Sequence, residues 1–349
     1  MSPGARSLAL GGAFAALADD ATAAFANPAG LHQIARPEVS MEVRGWAEFD
    51  ATASQAEFPA AVSGVGFVSF VYPIKDWSFA FYRNQLVNVE SSTGVGNEES
   101  AFDQFLSVGV VRTTADLKIV TYGFSAAYSP KENVSLGIGI SHFSGKLESR
   151  TEQGGTGARE VRVDDSDWGV NAGALWHISP QFNVGGFYRQ AGTFEGTEVL
   201  FGPAQDAMTS SSGAVSFPDT FGLGFAFKSR NGHITASAEW DHIRYSTTSK
   251  GLFEDIELDD GDELHLGFEY AFLGTAKVFA IRGGAWFDPE QTARVVGDGM
   301  GSSVPTRIRG DRWHLAFGVG WAYRRFQIDL GFDVSELIIT ASLSGIVNF

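Results

Sequence analysis

The amino-acid sequence predicts an all-β fold, a 14-stranded antiparallel transmembrane β-barrel with an N-terminal hatch segment in its lumen. Three observations lead to this prediction: large apolar residues alternate with small or polar ones, the alternating segments are long, and short and long connections follow one another. In segment 312–323, Trp313 and Leu315 share one face, and His314 and Ala316 share the other. Soluble strands contain about 5–6 residues, whereas a tilted membrane strand needs about 9–11, so the length of the segments favours a membrane barrel.

Fourteen segments with this period account for most of the chain after residue 38. They are 39–50, 62–74, 77–90, 116–128, 133–147, 166–178, 182–194, 219–228, 232–245, 262–272, 276–287, 311–323, 326–334 and 338–349. Short turns on one side and long loops on the other are typical of outer-membrane barrels. The long loops are expected at 91–115, 148–165, 195–218, 246–261 and 288–310. An even count brings both chain ends to the short-turn side, so segment 101–113 is assigned to a loop.

The composition excludes several classes of protein. The 349 residues include no Cys, which excludes a disulfide scaffold, a thiolate metal site and a Cys nucleophile. The formal net charge of −16 argues against nucleic acid as a partner, because phosphates attract Lys and Arg. No apolar run approaches the roughly 18–20 residues of a membrane helix. No signal peptide is visible, and since a barrel of this kind must be exported, we expect the mature chain with an added Met.

Aromatic residues mark the ends of several segments, among them Trp168, Trp176, Trp313 and Tyr323. Outer-membrane barrels carry aromatic girdles at both membrane interfaces. The last segment ends on Phe349, and a terminal aromatic residue resembles the recognition signal of bacterial outer-membrane proteins. The sequence therefore predicts a protein of the bacterial outer membrane.

The first 38 residues differ from the rest and are expected to form a hatch within a barrel of residues 39–349. The stretch is rich in small residues, a glycine pair allows close backbone approach, and an Asn-Pro step favours a turn. Its two acids are expected to bond lumen Arg or backbone N–H groups, with gating as the alternative role. An amphipathic helix on a soluble core is the alternative to a hatch. The hatch motif comprises Gly11, Gly12, Asp19, Asp20, Asn27, Pro28 and Ala29.

The hatch motif and the barrel together resemble the FadL family of outer-membrane long-chain fatty acid transporters, over the whole chain. The Asn-Pro-Ala triplet at 27–29 is the most specific point of resemblance. The resemblance implies a monomer in a lipopolysaccharide-containing membrane, without cofactor or energy source. A hydrophobic molecule would enter through the long loops, bind beside the hatch and leave through a gap in the wall, by passive, ligand-gated diffusion. Relatives resembling PorV share the motif and strand count but bind partner proteins, so a secretion shuttle or scaffold is the alternative function.

Segments 62–74 and 77–90 are apolar on both faces, which requires apolar material inside the barrel as well as outside. That material is either the hatch or the lining of a lipid pocket. Arg83 and Asn84 break the pattern, and a kinked or bulged strand there would be a natural place for a wall opening. The residues expected to contact the ligand are Phe14, Phe25, Val65, Phe67 and Val71 inside, with Phe102, Phe105, Leu106, Leu200 and Phe201 in the loops.

Neither a catalytic site nor a metal site is expected. The seven His form no His-x-x-x-His pair, and the inward His177, His265 and His314 are expected to join polar networks in the lumen. The acidic run within 254–263 matches no calcium loop and is expected to be a solvated loop. The Gly-Ile-Gly run at 137–139 lacks the helix that a phosphate loop needs. The sequence therefore predicts a transporter and not an enzyme.

Overall fold

The computed structural model describes residues 2–48, 62–95, 111–153, 157–202, 207–248, 256–295, 306–336 and 338–349. None of the helices in these ranges is long and apolar enough to cross a membrane. The helices are α1 (Ala5–Ala9), α2 (Ala23–Ala26) and 3₁₀ helices at Pro28–Gln33 and Tyr245–Thr247. The strands are β1 (Glu38–Glu48), β2 (Val62–Ile74), β3 (Trp77–Val95), β4 (Val111–Lys131), β5 (Val134–Gln153), β6 (Gly157–His177), β7 (Phe182–Arg189), β8 (Thr193–Phe201), β9 (Ala207–Ser216), β10 (Thr220–Lys228), β11 (Ile234–Ile243), β12 (Ile256–Leu258), β13 (Gly261–Leu273), β14 (Lys277–Asp288), β15 (Gln291–Val295), β16 (Thr306–Arg309), β17 (Arg312–Tyr323), β18 (Phe326–Val334) and β19 (Ile338–Asn348).

Fourteen strands form one closed antiparallel barrel, which confirms the predicted fold. The order around the wall follows the chain: β1 to β7, then β10, β11, β13, β14, β17, β18 and β19. The wall closes where β19 pairs with β1, beginning with Glu38 opposite Asn348. The N–H of Phe349 donates to the carbonyl of Pro37 at 2.9 Å, so the hatch and the end of the chain meet at the rim of the short turns.

The sequence alternation becomes an apolar outer face and a small or polar inner face. In β17, the outward Trp313 and Leu315 are 62% and 63% exposed, whereas the inward His314 and Ala316 are each 5% exposed. In a membrane, the outer face meets hydrocarbon and not water. The barrel is therefore inverted relative to a soluble protein, with its most apolar surface outside.

The strands β3 to β6 extend beyond the segments that apolar alternation predicts. Parts of the predicted loops 91–115 and 148–165 are strand, and β5 pairs with β6 as far as Gln153 opposite Gly157. Outside the membrane a strand needs backbone pairing but no lipid-facing apolar row. The apolar alternation therefore stops before the strand does, and the sequence pattern underestimates the height of this wall.

Other predicted loops also contain strands. The predicted loop 195–218 lies largely in the hairpin β8–β9, which pairs with the end of β6 that is far from the short turns. Within the predicted loops 246–261 and 288–310, strands β12, β15 and β16 form a small separate sheet. These additions lie beyond the barrel wall and leave its count of fourteen unchanged.

The N-terminal segment fills the lumen, as predicted, and almost all of its residues between 2 and 37 are buried. Helix α1 packs against β14, β17, β18 and β19, and the helix Pro28–Gln33 packs against β4, β5 and β6. Apolar side chains of the hatch join inner residues of β2 and β3 in one cluster. Its large members include Leu10, Phe14, Leu17, Phe25, Leu31, Phe67, Val71 and Tyr82.

Candidate transport pathway

Gly11 and Gly12 follow helix α1 and bring the chain against the wall. Both have positive φ, 62° and 84°, a conformation that L side chains rarely adopt. A Cβ on Gly11 would lie 2.9 Å from backbone atoms of Leu266 and Ala285, and one on Gly12 would lie 2.9 Å from Nδ1 of His265. Glycine is therefore required at both positions for conformation and for space.

Asn27 joins the second half of the hatch to the wall. Its Oδ1 accepts a hydrogen bond from the N–H of Ala29 at 3.2 Å and caps the 3₁₀ helix that begins at Pro28. Its Nδ2 donates to the carbonyls of Ala15 at 2.8 Å and Ala174 at 3.3 Å. Both polar atoms of this fully buried side chain are thus satisfied.

Asp19 binds two cations from different parts of the molecule. Its carboxylate accepts from Arg6 of α1 and, at 2.9 Å, from Lys228 of β10. Arg6 also pairs with Glu269 of β13 at 3.1 Å. Burial alone would raise the pKa of Asp19, but Arg6 and Lys228 outweigh it and hold that pKa well below the usual range. Asp19 therefore stays charged at neutral pH and ties the hatch to the wall.

Asp20 stands in a different environment from its neighbour. Its Oδ1 accepts from the backbone N–H of Thr22 at 2.9 Å and from the Thr22 hydroxyl. Burial raises the pKa of Asp20, and the attraction of Arg6 and the bonds from Thr22 offset only part of this effect. Asp20 thus holds a turn within the hatch.

Three wall glutamates accept hydrogen bonds from backbone N–H groups of the hatch. They fix the hatch backbone at points along its length. The bonds run from Gly4 to Glu42 at 3.0 Å, from Ala21 to Glu38 at 2.7 Å, and from Phe14 and Ala15 to Glu239 at 2.7 and 2.6 Å.

Inward glycines leave space that the hatch backbone occupies. A Cβ on Gly137 would lie 2.3 Å from the N atom of Ala29, and one on Gly284 would lie 2.3 Å from the N atom of Gly11. Larger side chains at these positions would push the hatch away from the wall. The same close approach to the hatch occurs at Gly185, Gly224, Gly267 and Gly331.

A cavity of about 330 Å³ lies in the lumen between the hatch and the strand ends that carry the long loops. Ligand sites in proteins commonly measure about 300–1,000 Å³ and combine apolar walls with a few polar groups. This cavity meets both conditions. Its apolar lining includes Phe25, Leu86, Phe143, Phe217 and Trp286.

Arg189 places a cation at this cavity. Its guanidinium carbon lies 4.1 Å from the ring centre of Phe25 and 4.9 Å from that of Phe187. One terminal nitrogen donates to the carbonyls of Phe25 and Ala26, both at 3.3 Å. The Nε of Arg189 makes no hydrogen bond within the part of the chain that the structure describes.

A second apolar cluster covers the cavity from the loop side. Phe194 of β8 is 2% exposed, and its ring meets that of Phe217 edge-on, with centroids 5.7 Å apart. The hairpin β8–β9 thus closes part of the mouth of the barrel. The cluster comprises Ile119, Phe143, Val161, Val163 and Phe194.

The wall is incomplete between β2 and β3. These strands pair only as far as Phe67 opposite Asn84, and residues 62–66 have no described partner on β3. The pairing of β2 with β1 skips Gly66, and the pairing of β3 with β4 skips Leu86. Each of these two residues therefore forms a bulge. Bulges bend strands and interrupt their ladders, and here they flank the unpaired stretch.

Side chains satisfy backbone groups that the missing ladder leaves open. The guanidinium of Arg83 donates to the carbonyl of Val65 and, at 3.1 Å, to Oε1 of Gln85. The indole N–H of Trp46 donates to the carbonyl of Asn88 at 3.2 Å. Backbone polar groups at membrane depth must be satisfied, and at this gap rotatable side chains do so in place of a ladder.

Four of the predicted ligand contacts lie together, between the hatch and the wall. They are buried in the apolar cluster described above, and of the four only Phe25 lines the cavity. The apolar inner face of β2 and β3 is thus covered by the hatch. The four residues are Phe14, Phe67, Val71 and Phe25.

The prediction that Val65 shares a face with Phe67 is wrong. The bulge at Gly66 inserts an extra residue into β2, which reverses the alternation on its two sides. Phe67 is fully buried, whereas Val65 is 39% exposed on the outer face. Val65 therefore lies at the membrane side of the gap and not in the lumen.

The predicted loop contacts are divided. Leu200 and Phe201 lie on β8, Leu200 being exposed and Phe201 lying 5.7 Å beneath the guanidinium of Arg150. Neither lines the luminal cavity. The other three, Phe102, Phe105 and Leu106, lie outside the described residues.

Sequence reasoning missed several residues that line or cover the cavity, notably Arg189, Phe143 and Phe194. The sequence does not show how far along the barrel axis an inward residue lies. A usable signal was a large or charged residue on a face that is otherwise small: Arg189 follows Gly185 and Phe187 on the inner face of β7.

The family profile of "Outer membrane protein transport protein (OMPP1/FadL/TodX)" matches residues 2–336. A FadL homologue from Pseudomonas aeruginosa superposes with a TM-score of 0.73 at 14% identity, covering 99% of this chain and 98% of that chain. The toluene transporter TbuX from Ralstonia pickettii superposes with a TM-score of 0.70 at 17% identity, covering 99% and 98%. The toluene transporter TodX from P. putida gives 0.69 at 15% identity, covering 99% and 98%. A search of curated protein sequences found no match.

The structural similarity shows the fold, and the family match extends over almost the whole chain. The protein is accordingly an outer-membrane β-barrel channel for hydrophobic compounds, and it is not an enzyme. The chain belongs to the OMPP1/FadL/TodX family of outer-membrane transport proteins.

Proposed function

We propose that this channel takes up long-chain fatty acids or similar hydrophobic molecules by passive, ligand-gated diffusion. The molecule enters beside the hairpin β8–β9, binds in the luminal cavity and leaves sideways between β2 and β3 into the membrane. Leu200 and Phe201, together with Phe102, Phe105 and Leu106, provide the first apolar contacts. The hatch, residues 1–38, is the part that responds to the ligand.

One observation carries the proposal: the luminal cavity reaches the gap in the wall. Its lining includes Asn84, Gln85 and Leu86, the β3 residues at which pairing with β2 ends. Apolar lining on the opposite side comes from Phe25 of the hatch. A ligand in this cavity thus contacts both the hatch and the unpaired edge of the wall.

The remaining inner contacts depend on movement of the hatch. Phe14, Phe67 and Val71 are fully buried between hatch and wall. They contact a ligand only if the hatch shifts, and Phe25 is the hatch residue on which a bound ligand would act. Arg189 stacks on Phe25 and bonds its carbonyl, so an acceptor group that binds Arg189 competes for the contacts that hold this part of the hatch.

The absence of Cys permits a direct test of the exit route. A Cβ on Gly64 lies 3.7 Å from Nε2 at the tip of the Gln85 side chain across the gap, so the double variant Gly64→Cys, Gln85→Cys is designed to lock the gap with a short bis-methanethiosulfonate cross-linker, which joins the two thiols through reducible disulfides. Uptake of a fluorescent long-chain fatty acid into proteoliposomes should fall at least tenfold on cross-linking and recover on reduction. The control pair is Gly186→Cys with Leu223→Cys, which stand opposite each other in the paired wall of β7 and β10.

Unchanged uptake by the fully cross-linked gap variant would show that the ligand leaves elsewhere. The ligand class is tested separately, by solvent extraction of the detergent-purified barrel and mass spectrometry. A stoichiometric fatty acid supports the proposal. An empty lumen with a stoichiometric co-purifying protein chain would instead favour the shuttle or scaffold function.

A further inference from the structure

Three side chains of metal-ligand type converge on the inner wall beside the hatch. Asp241 comes from β11, and Glu263 and His265 come from β13, with Asp241 directly opposite Glu263 in the ladder. One ligand atom from each lies within 4.8 Å of the other two. The Nε2 of His265 lies 3.4 Å from Oε2 of Glu263 and 3.9 Å from Oδ2 of Asp241.

We propose that Asp241, Glu263 and His265 form a binding site for one divalent transition-metal ion. Carboxylate and imidazole ligands bind Zn²⁺ at about 2.0–2.2 Å, and donor atoms on a tetrahedron of that size are about 3.4 Å apart. The two distances from Nε2 of His265 lie at or slightly above this value. The three ligand atoms lie within 4.8 Å of one another, so an ion would draw the two carboxylate oxygens together by up to about 1.4 Å.

The orientation of His265 supports this site. Its Nδ1 lies 2.7 Å from the carbonyl oxygen of Gly11. A carbonyl only accepts, so Nδ1 donates to Gly11 and Nε2 is the atom that faces the two carboxylates, where a bound ion displaces any proton that Nε2 carries. His265 is 5% exposed, and its Nε2 makes no hydrogen bond to any residue that the structure describes. A histidine that donates its other N–H to a backbone carbonyl is a typical oriented metal ligand.

A second buried atom at the site also lacks a partner. Oδ1 of Asp241 is buried and makes no hydrogen bond within the described residues. Glu239, two residues away on the same inner face, adds a further carboxylate that is occupied by the hatch N–H groups. The cluster thus holds several acids around one imidazole, and a divalent cation would offset their charge.

The cavity gives the site an open side. Glu263 and His265 both line the luminal cavity, so water or a ligand atom can complete the coordination of an ion held by the three residues. An imidazole ligand favours Zn²⁺ and similar metals over Ca²⁺ and Mg²⁺, which prefer oxygen ligands alone. The site is not evident from the sequence because its ligands come from two strands, and Asp241 is separated in the chain from the other two.

The site lies at a contact between hatch and wall. An ion on Nε2 makes the Nδ1–H of His265 a better donor, which strengthens its bond to Gly11. Metal binding is therefore expected to stabilise the docked hatch. This inference stands apart from the proposed transport function, because binding of the ion is measured without any hydrophobic ligand.

The test uses the full chain in detergent micelles, stripped with EDTA and titrated with Zn²⁺ in a calorimeter. We expect one Zn²⁺ per chain and a higher thermal midpoint when Zn²⁺ is bound. His265→Asn removes Nε2 but keeps a nitrogen donor near the position of Nδ1 for Gly11. This variant and Glu263→Gln should each weaken Zn²⁺ binding at least tenfold. Co²⁺ should give the visible absorption of a low-coordinate site, and Mg²⁺ should not compete.

His314→Asn is the matched control. His314 is equally buried, stacks on the same Trp286 and lies 2.7 Å from a single carboxylate, that of Asp333. It should bind Zn²⁺ within about twofold of the unaltered chain. If His265→Asn prevents folding, Glu263→Gln at the edge of the cavity carries the test alone. Absence of stoichiometric Zn²⁺, or equal binding by the His265 and Glu263 variants and the parent, overturns the proposal.

Discussion

The strands β13 to β19 and the strands β2 and β3 hold the hatch in different ways. On the first side, Arg6 bonds Glu269, and Arg282 bonds Glu269 and Asp329 at 2.6 and 2.7 Å. The wall there is paired without a register shift. On the second side, Phe25 packs edge-on against Tyr82, the wall contains bulges, and part of β2 lacks a partner on β3.

Under the proposed function, the first side would be an anchor and the second side would be the part that moves. Ion pairs and hydrogen bonds are directional and fix a segment in one place, whereas apolar contacts tolerate sliding and repacking. A hatch held rigidly on both sides would block the lumen, and one held on neither side would be lost from it. The following predictions test this division, from the largest expected effect to the smallest.

Arg282→Ala should weaken the anchor most. Arg282 is 9% exposed, and its loss leaves Glu269 and Asp329 buried without this cation. We expect the free energy of unfolding to fall by about 3–5 kcal/mol, measured by urea titration in detergent. Arg325→Ala, in an exposed turn, should change it by less than about 0.5 kcal/mol. Equal losses in both variants would show that the network anchors nothing.

Gly284→Ala tests the close approach of the hatch to the anchor side. The new Cβ would lie 2.3 Å from the backbone N of Gly11, so we expect a loss of about 1–3 kcal/mol from overpacking. In the neighbouring variant Gly283→Ala, the new Cβ points outward. Apart from the adjacent residues, the nearest atom to this Cβ is the carbonyl oxygen of Ala316, at 4.0 Å. This variant should be neutral within about 0.5 kcal/mol. The thermal unfolding midpoints of the two variants, measured in the same detergent, test this prediction.

Arg83→Ala should loosen the gap without loosening the anchor. Arg83 of β3 donates to the carbonyl of Val65 across the unpaired edge and to Gln85 on its own strand, and loss of the charge-assisted bond to Val65 favours the open form. We expect faster fatty acid uptake into proteoliposomes, by about threefold or more, with the thermal midpoint nearly unchanged. Slower uptake would mean that Arg83 contacts the ligand and does not hold the gap closed.

Asp19→Asn should have the smallest effect and one that depends on pH. Because the folded pKa of Asp19 is lowered, its stabilisation is present above the unfolded pKa of about 4 and is lost as pH falls further. We expect the variant to be about 1 kcal/mol less stable at pH 7, with the difference shrinking below about pH 4. Thermal midpoints measured from pH 3 to pH 8 report this trend.

Asp20→Asn provides the control of opposite sign. Burial raises the folded pKa of Asp20, so its charged form is penalised and the unaltered chain loses stability as pH rises through that range. Relative to the unaltered chain, Asp20→Asn should therefore become more stable as pH increases. Parallel pH trends for the two variants would contradict the assignment of separate roles.

The sequence alone predicted the wall better than it predicted the pathway. The fourteen strands follow from apolar alternation, because each lipid-facing residue meets the same solvent, whatever its neighbours in the barrel. Val65 shows the limit: one bulged residue at Gly66 reversed its face, and alternation cannot reveal a bulge. Arg189 and Phe194 show a second limit. Whether they line or cover the cavity depends on their position along the barrel axis and on contacts with residues far away in the chain.

The unequal heights of the wall strands have a consequence at the cell surface. Strand β5 has 20 residues and β10 has 9, which at about 3.4 Å per residue corresponds to lengths of ~68 and ~31 Å. The rim is therefore oblique, and its taller part projects beyond the membrane. Under the proposed function, a sparingly soluble molecule that arrives there would exchange water for protein before it reaches the polar headgroups. The first apolar region on its way inward would be the cluster around Phe194.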